Sequence, residues 1–128
     1  MNEKILIVED NPMHMRLMEM TLSARNYTLL KATDGEMALD MAIKERPNLI
    51  LMDIRLPKMS GFEVTRKLRE NPAFSHTPII ALTANAMKED IERVIASGCD
   101  AYSTKPINTR ELPEVVAEML SAGEEDNT

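Results

Sequence analysis

Tryptophan is absent, and the chain of 128 residues has only two Phe and two Tyr. A core with so few large rings must be filled by aliphatic and thioether side chains, and the chain holds eleven Met. Cysteine occurs once, at Cys99, which excludes an internal disulfide and a thiolate metal cluster. It reads as a small buried hydrophobe. With four Gly in all, no glycine-rich loop follows the first apolar run, and Gly61 and Gly98 read as turn and cap residues. No apolar run approaches the roughly 20 residues that span a bilayer. The first, Ile5 to Val8, is cut off by acids and is too short for the core of a signal peptide. A cytoplasmic protein with no membrane contact is expected. Basic charge is also in deficit. The net charge is -6, and Glu124, Glu125 and Asp126 supply three of it. A nonspecific nucleic-acid binder needs the opposite sign.

What is present is an alternation of short apolar runs with longer amphipathic segments. Strands are expected at Lys4 to Val8, Thr28 to Lys31, Asn48 to Met52, Pro78 to Leu82 and Ala101 to Thr104. Runs such as "LILM" and "IIAL" are apolar without alternation, the mark of parallel strands covered on both faces. Asn11 and Pro12 open a first helix with Met13, Leu17, Met20 and Ala24 at core-facing spacing. Asp34 caps a second, with Met37, Ala38, Met41 and Ala42 inward and Pro47 beyond its end. Ser60 and Glu63 form a capping box for a third, with Val64 and Leu68 inward. A fourth runs from about Ala86 to Ser97, with Met87, Ile91, Val94 and Ile95 on one side and Gly98 as its stop. A fifth spans about Thr109 to Leu120, burying Leu112, Val115, Val116 and Met119. Met52 is also expected inside, and Met59 in the loop after Asp53 outside. Residues 1–121 then form one domain, and the acidic 122–128 segment is expected to fray.

Five strands in strict alternation with five helices make an α/β protein, an open doubly wound parallel sheet with helices on both faces. Such sheets bind ligands beyond the carboxyl ends of their strands. At those ends stand Glu9 and Asp10, then Asp53, Thr83 and Lys105. Any one is an ordinary strand boundary, but four ends delivering polar groups to one edge is a constellation. Two carboxylates about 4 Å apart repel by roughly 4 kcal/mol at an effective dielectric near 20. A cation must be near, and an oxygen-only site suits Mg²⁺, whose open positions accept phosphate oxygens. Phosphoryl chemistry then needs a nucleophile. Asp53 stands alone on a central strand and is the best placed, with Thr83 and Lys105 to grip the phosphoryl oxygens.

"ILIVEDN", "LILMDIRLPKMSGFE", "PIIALTANA" and "GCDAYSTKPI" together resemble the receiver domain of two-component response regulators, over about Glu3 to Leu120. The resemblance is to stand-alone receivers of the chemotaxis and cell-cycle types. It implies the flavodoxin-like strand order 2-1-3-4-5 and a phosphoacceptor role for Asp53, supplied by a histidine kinase or a histidine phosphotransfer protein. It also implies Mg²⁺ on Asp10, on Asp53, on Glu9 through water and on the Arg55 backbone carbonyl. Thr83 and the Ala84 N–H then meet the phosphoryl group, and Lys105, in a cis peptide with Pro106, ion-pairs with it. Tyr102 becomes an aromatic switch that turns inward with Thr83 and changes the face of helix four, strand five and helix five toward a downstream partner. A monomer is the default. Arg55 and Asn85 occupy the positions that tune phosphoryl lifetime in the family.

Two other functions are weighed against this one. A Mg²⁺-dependent phosphohydrolase would want a general acid two residues after Asp53, where Arg55 stands, and a cap that 128 residues have no room for. A phosphorylation-independent binding module would have no use for the intact acid set. His14, just past the acid pair, reads as a surface imidazole on a partner-docking helix.

Overall fold

The structure, a computed structural model, describes residues 3–84 and 87–126, with side chains as far as 122. The expected start of the fourth helix at Ala86, and Asn85 before it, lie outside the described residues. In chain order the elements are β1 (Lys4–Val8), α1 (Pro12–Leu22), β2 (Thr28–Ala32), α2 (Gly35–Glu45), β3 (Leu49–Asp53), α3 (Gly61–Glu70), β4 (Ile79–Thr83), α4 (Lys88–Ser97), β5 (Ala101–Thr104) and α5 (Glu111–Asp126). A short 3-10 turn, Pro72–Phe74, precedes β4. The sheet is parallel throughout, in the order β2-β1-β3-β4-β5.

Alternation along the central strands feeds two cores. Leu6, Val8, Ile50, Met52, Ile79 and Ala81 face α2, α3 and α4. Ile5, Ile7, Leu49, Leu51, Ile80 and Leu82 face α1 and α5. All of these side chains are fully buried, which is why the three central strands are apolar between their terminal residues. β3 and β4 each extend one residue past the expected boundary, so Asp53 and Thr83 are the last residues of their strands.

The helix caps form as their sequences suggest. Asn11 Oδ1 accepts the Met13 and His14 N–H groups, Asp34 caps α2, and the Ser60 hydroxyl accepts the Glu63 N–H. The inward faces differ from expectation in α1. Met15, Met18 and Leu22 are buried, whereas Met13 and Met20 are largely exposed, Leu17 is at the surface and Ala24 lies beyond the helix. Two interleaved apolar sets fit helical spacing here, and the direction in which the chain leaves β1 selects the second. In α2, Ala38 and Ala42 are buried and Met41 partly so, but Met37 is exposed. In α4, Val94 is buried and Ile91 half-buried, while Met87 precedes the helix and Ile95 faces solvent. That helix lies near the sheet's edge, so only a narrow stripe of it is covered. Met59 is half-buried against the α2–α3 core rather than outside. Met52 is buried and Met119 partly buried. In α5, Leu112 and Val116 are buried and Val115 partly so. The helix starts later than Thr109, with Asn108 Oδ1 accepting the Arg110 and Glu111 N–H groups, and continues to Asp126. Nothing after Leu120 breaks it, since Ala and Glu are strong helix formers and Gly123 is a single weak position.

Cys99 is buried as expected, against the Thr65 and Ser97 hydroxyls. Burial pushes its thiol above the usual value, which leaves little thiolate for redox chemistry. One polar side chain ties the α3–β4 region to the α4–β5 turn. The Arg69 guanidinium donates to the carbonyls of Gly98 (2.9 Å), Phe74 (2.6 Å) and Thr77 (2.7 Å) and to Asp100 Oδ2 (2.7 Å). Asp100 Oδ2 also accepts the Ile79 N–H, at the start of β4. Arg69→Met keeps the stem and strips these partners, so a loss of about 2–4 kcal/mol in urea unfolding is expected. An unchanged midpoint would rule out the clasp.

Candidate functional site

Because all five strands run in one direction, their carboxyl ends meet along one edge. Glu9 follows β1 and is anchored by its N–H to the Ala32 carbonyl (3.0 Å), while its Oε2 accepts the Asn11 N–H (3.1 Å). Asp53 ends β3, and its Oδ1 accepts the Arg55 N–H (3.2 Å). Lys105 follows β5 and is tied to β4 by its N–H on the Thr83 carbonyl (2.8 Å). The Lys105–Pro106 peptide is cis.

Glu9, Asp10 and Asp53 each place a carboxylate oxygen within 4.8 Å of the others. Glu9 and Asp53 are buried, at 1% and 4% exposure, and Asp10 is at the surface. Lys105 crosses the buried pair, with Nζ 2.5 Å from Glu9 Oε1 and 3.4 Å from Asp53 Oδ2. Burial, then hydrogen bonding to Glu9 and its charge, raises Asp53 to about 6; Lys105 and the Arg55 N–H oppose this without cancelling it. Burial would also raise Glu9, but the Lys105 hydrogen bond, the Asn11 N–H and Asp53 outweigh it and hold Glu9 below the usual range. The donor set is oxygen only, hard and mutually repulsive, which fits a hard divalent cation.

Thr83 is buried at the end of β4, and with Ala84, Arg55, Phe62, Asp90 and Arg93 it lines a cleft of about 360 Å³ that also takes in Ile54, the residue after Asp53. Arg93 closes one wall of it, its guanidinium 4.5 Å from the centre of the Phe62 ring. Tyr102 lies two residues before the end of β5, registered against Ala81, and is 42% exposed. The structure thus groups Glu9, Asp10 and Asp53, brings Lys105 to Glu9 and Asp53, and puts Thr83 and Ala84 at the same carboxyl edge, on the strand next to β3. Tyr102 stands apart, turned to the surface.

His14 is the residue that sequence reasoning placed outside the site. It is half-exposed, but its Nδ1 is 3.2 Å from Lys105 Nζ and 3.7 Å from Glu9 Oε1. Its place in the first turn of a helix that starts right after the acid pair is the only signal the sequence carries.

A doubly wound parallel sheet with a lysine-crossed acid cluster at its carboxyl edge defines the receiver class of signalling domain. The model of the response regulator receiver domain matches residues 5–117, and the chain belongs to that family. It is 43% identical, over 94% of its length and 98% of the relative's, to the polar-differentiation response regulator DivK of Brucella anthropi. Among solved structures it is similar to the receiver domain of the sensor histidine kinase PA1611 from Pseudomonas aeruginosa, described with a magnesium ion coordinated in the active-site cleft. That likeness has 36% identity and a TM-score of 0.87 and covers 94% of this chain and 99% of that one. The chemotaxis response regulator CheY4 of Vibrio cholerae gives 29% identity and a TM-score of 0.88, with 93% and 99% covered. The chain is a response regulator of two-component phosphorelay signalling. Among the described residues no helix is long and apolar enough to cross a membrane.

Proposed function

We propose that Asp53 is the phosphoacceptor and that Mg²⁺ bound by Glu9, Asp10, Asp53 and the Arg55 carbonyl is required for the reaction. The carrying observation is the buried Asp53 carboxylate, at 4% exposure, grouped with two further acids and reached by Lys105. A carboxylate oxygen of Asp53 attacks phosphorus, the P–N bond of a phosphohistidine breaks, and the imidazole leaves with the bonding pair. Mg²⁺ supplies charge neutralisation for the phosphoryl oxygens. Lys105 and the Ala84 N–H take part of the same charge, and Thr83 closes on it.

The donor is a histidine kinase or a histidine phosphotransfer protein, and the exposure of Met13, Leu17 and Met20 supports α1 as the surface it meets. The downstream target binds the α4–β5–α5 face, where Met87, Ile95 and Tyr102 are exposed. There Tyr102 turns inward when Thr83 moves, which biases a two-state equilibrium. The receiver unit is 1–121, a cytoplasmic monomer that acts as a switch and turns over no other substrate.

Incubation with acetyl phosphate and Mg²⁺ is expected to add one phosphoryl mass to the intact protein, and chelating the metal to abolish the gain. Steady release of phosphate over many turnovers would instead indicate a phosphohydrolase, and no adduct under any condition would refute the proposal. Partners retained equally by the phosphorylated and unphosphorylated forms would refute the switch.

A further inference from the structure

An ammonium group carries three N–H donors and no acceptor. Around Lys105 Nζ stand three acceptors: Glu9 Oε1 at 2.5 Å, His14 Nδ1 at 3.2 Å and Asp53 Oδ2 at 3.4 Å. Because the lysine only donates, His14 Nδ1 accepts, which puts the ring proton on Nε2. The Lys105 side chain is 15% exposed, so its donors have little water to turn to. The ring is placed by its helix. Pro12 begins α1, and Asn11 Oδ1 holds the His14 N–H at 3.2 Å, fixing the turn from which the imidazole reaches back over the strand ends.

The three acceptors differ in what else they must do. Glu9 and Asp53 belong to the acid group that fits a divalent cation, and an oxygen turned toward a cation is withdrawn from the lysine. His14 is not one of those acids, and although its Nδ1 is also 3.7 Å from Glu9 Oε1, a nitrogen that accepts from Lys105 has no proton to give that oxygen. We propose that His14 is a positioning residue for Lys105: it holds the ammonium beside Asp53 when the carboxylates are engaged elsewhere. The inference rests on the roles given above to Asp53 and Lys105. It adds a residue that acts through the lysine and touches neither phosphoryl group nor metal.

Two substitutions separate the acceptor from the shape. In His14→Asn the side-chain Oδ1 sits as many bonds from the backbone as Nδ1 and keeps an acceptor there; His14→Leu keeps bulk and removes it. Two measurements are made on each: the mobility of the Lys105 side chain by carbon relaxation in the unphosphorylated protein at saturating Mg²⁺, and the rate of acetyl phosphate labelling at the same Mg²⁺ concentration. The Leu variant is expected to show a more mobile Lys105 and a maximal rate lower by about fivefold, with little change in the phosphodonor concentration for half-maximal rate. The Asn variant is expected within about twofold of the parent protein on both. The proposal is overturned if Leu matches the parent, if Asn and Leu are equally impaired, or if only one of the two readouts moves in Leu. Should the parent protein take no phosphoryl group at all, the assignment of Asp53 fails, and Lys105 mobility alone then decides whether His14 anchors the lysine.

Discussion

Asp53→Asn is expected to abolish the phosphoryl adduct and, at pH 7 without divalent cations, to make the protein more stable. The first effect removes the nucleophile. The second follows from the electrostatics of the crevice. Asp53 is buried beside Glu9 and titrates near 6 in the folded chain against an ordinary 3.8. Between those values the folded state binds a proton that the unfolded state has released, so the contribution of Asp53 to stability falls as pH rises through the window. Above about 7 the deficit is complete, on the order of 3 kcal/mol. Asn keeps the shape without the charge. Its thermal midpoint should exceed that of the parent by several degrees at pH 7, and the difference should vanish below pH 4. Glu9, held below its usual range, contributes with the opposite sign: its stabilisation is present above 4.5 and is lost as pH falls through its lowered value. Comparing the two proteins across pH therefore isolates Asp53. Millimolar Mg²⁺ should raise the midpoint of the parent more than that of the variant. A variant less stable than the parent at pH 7 in metal-free buffer would show that the crevice does not strain Asp53.

Gly61→Ala is expected to cost about 3 kcal/mol or more and to slow phosphorylation as well, although residue 61 touches no reacting group. A Cβ there would fall well inside van der Waals contact of the Asp53 carbonyl oxygen and 2.9 Å from Ile54 Cα. Both are backbone, so neither can rotate away. The Gly61 N–H also donates to the Ile54 carbonyl (2.9 Å), which pins the start of α3 under the strand that carries Asp53. Relief of the clash must shift α3 or the end of β3, and the second route moves the nucleophile. Gly35 is the control. Its added Cβ would meet Val64 Cγ2 at 2.7 Å, but that is a methyl of a side chain. Gly35→Ala should cost less, about 1 kcal/mol, and leave the labelling rate near that of the parent. Equal losses at the two positions in urea unfolding would sink the close-approach argument.

The parts of the site that were legible in the sequence are those where an apolar strand is broken by a charge or a hydroxyl. Asp53 ends five buried residues of β3, Thr83 ends β4, and Glu9 follows four fully buried residues of β1. A strand buried on both faces tolerates polar groups only at its mouth, so their positions are visible without coordinates. His14 was not legible. Half-exposed on a helix, it has no break in pattern to mark it, and only the crossing of β5 beside β4 brings Lys105, distant in sequence, to within 3.2 Å.

The same division holds for the fold. The amino-acid order by itself determined the alternation of elements, the parallel sheet, the caps at Asn11, Asp34 and Ser60 and the roster of groups at the strand ends, because each is a local property of pattern and hydrogen bonding. The tertiary structure alone decided which face of α1 is buried, since Met13, Leu17 and Met20 satisfy helical spacing as well as Met15, Met18 and Leu22 do. It also decided that the Asp53 carboxyl is pushed up while Glu9 is held down, because Asp53 is buried beside Glu9 and Lys105 lies closer to Glu9, 2.5 Å against 3.4 Å, distances set by how β5 packs on β4.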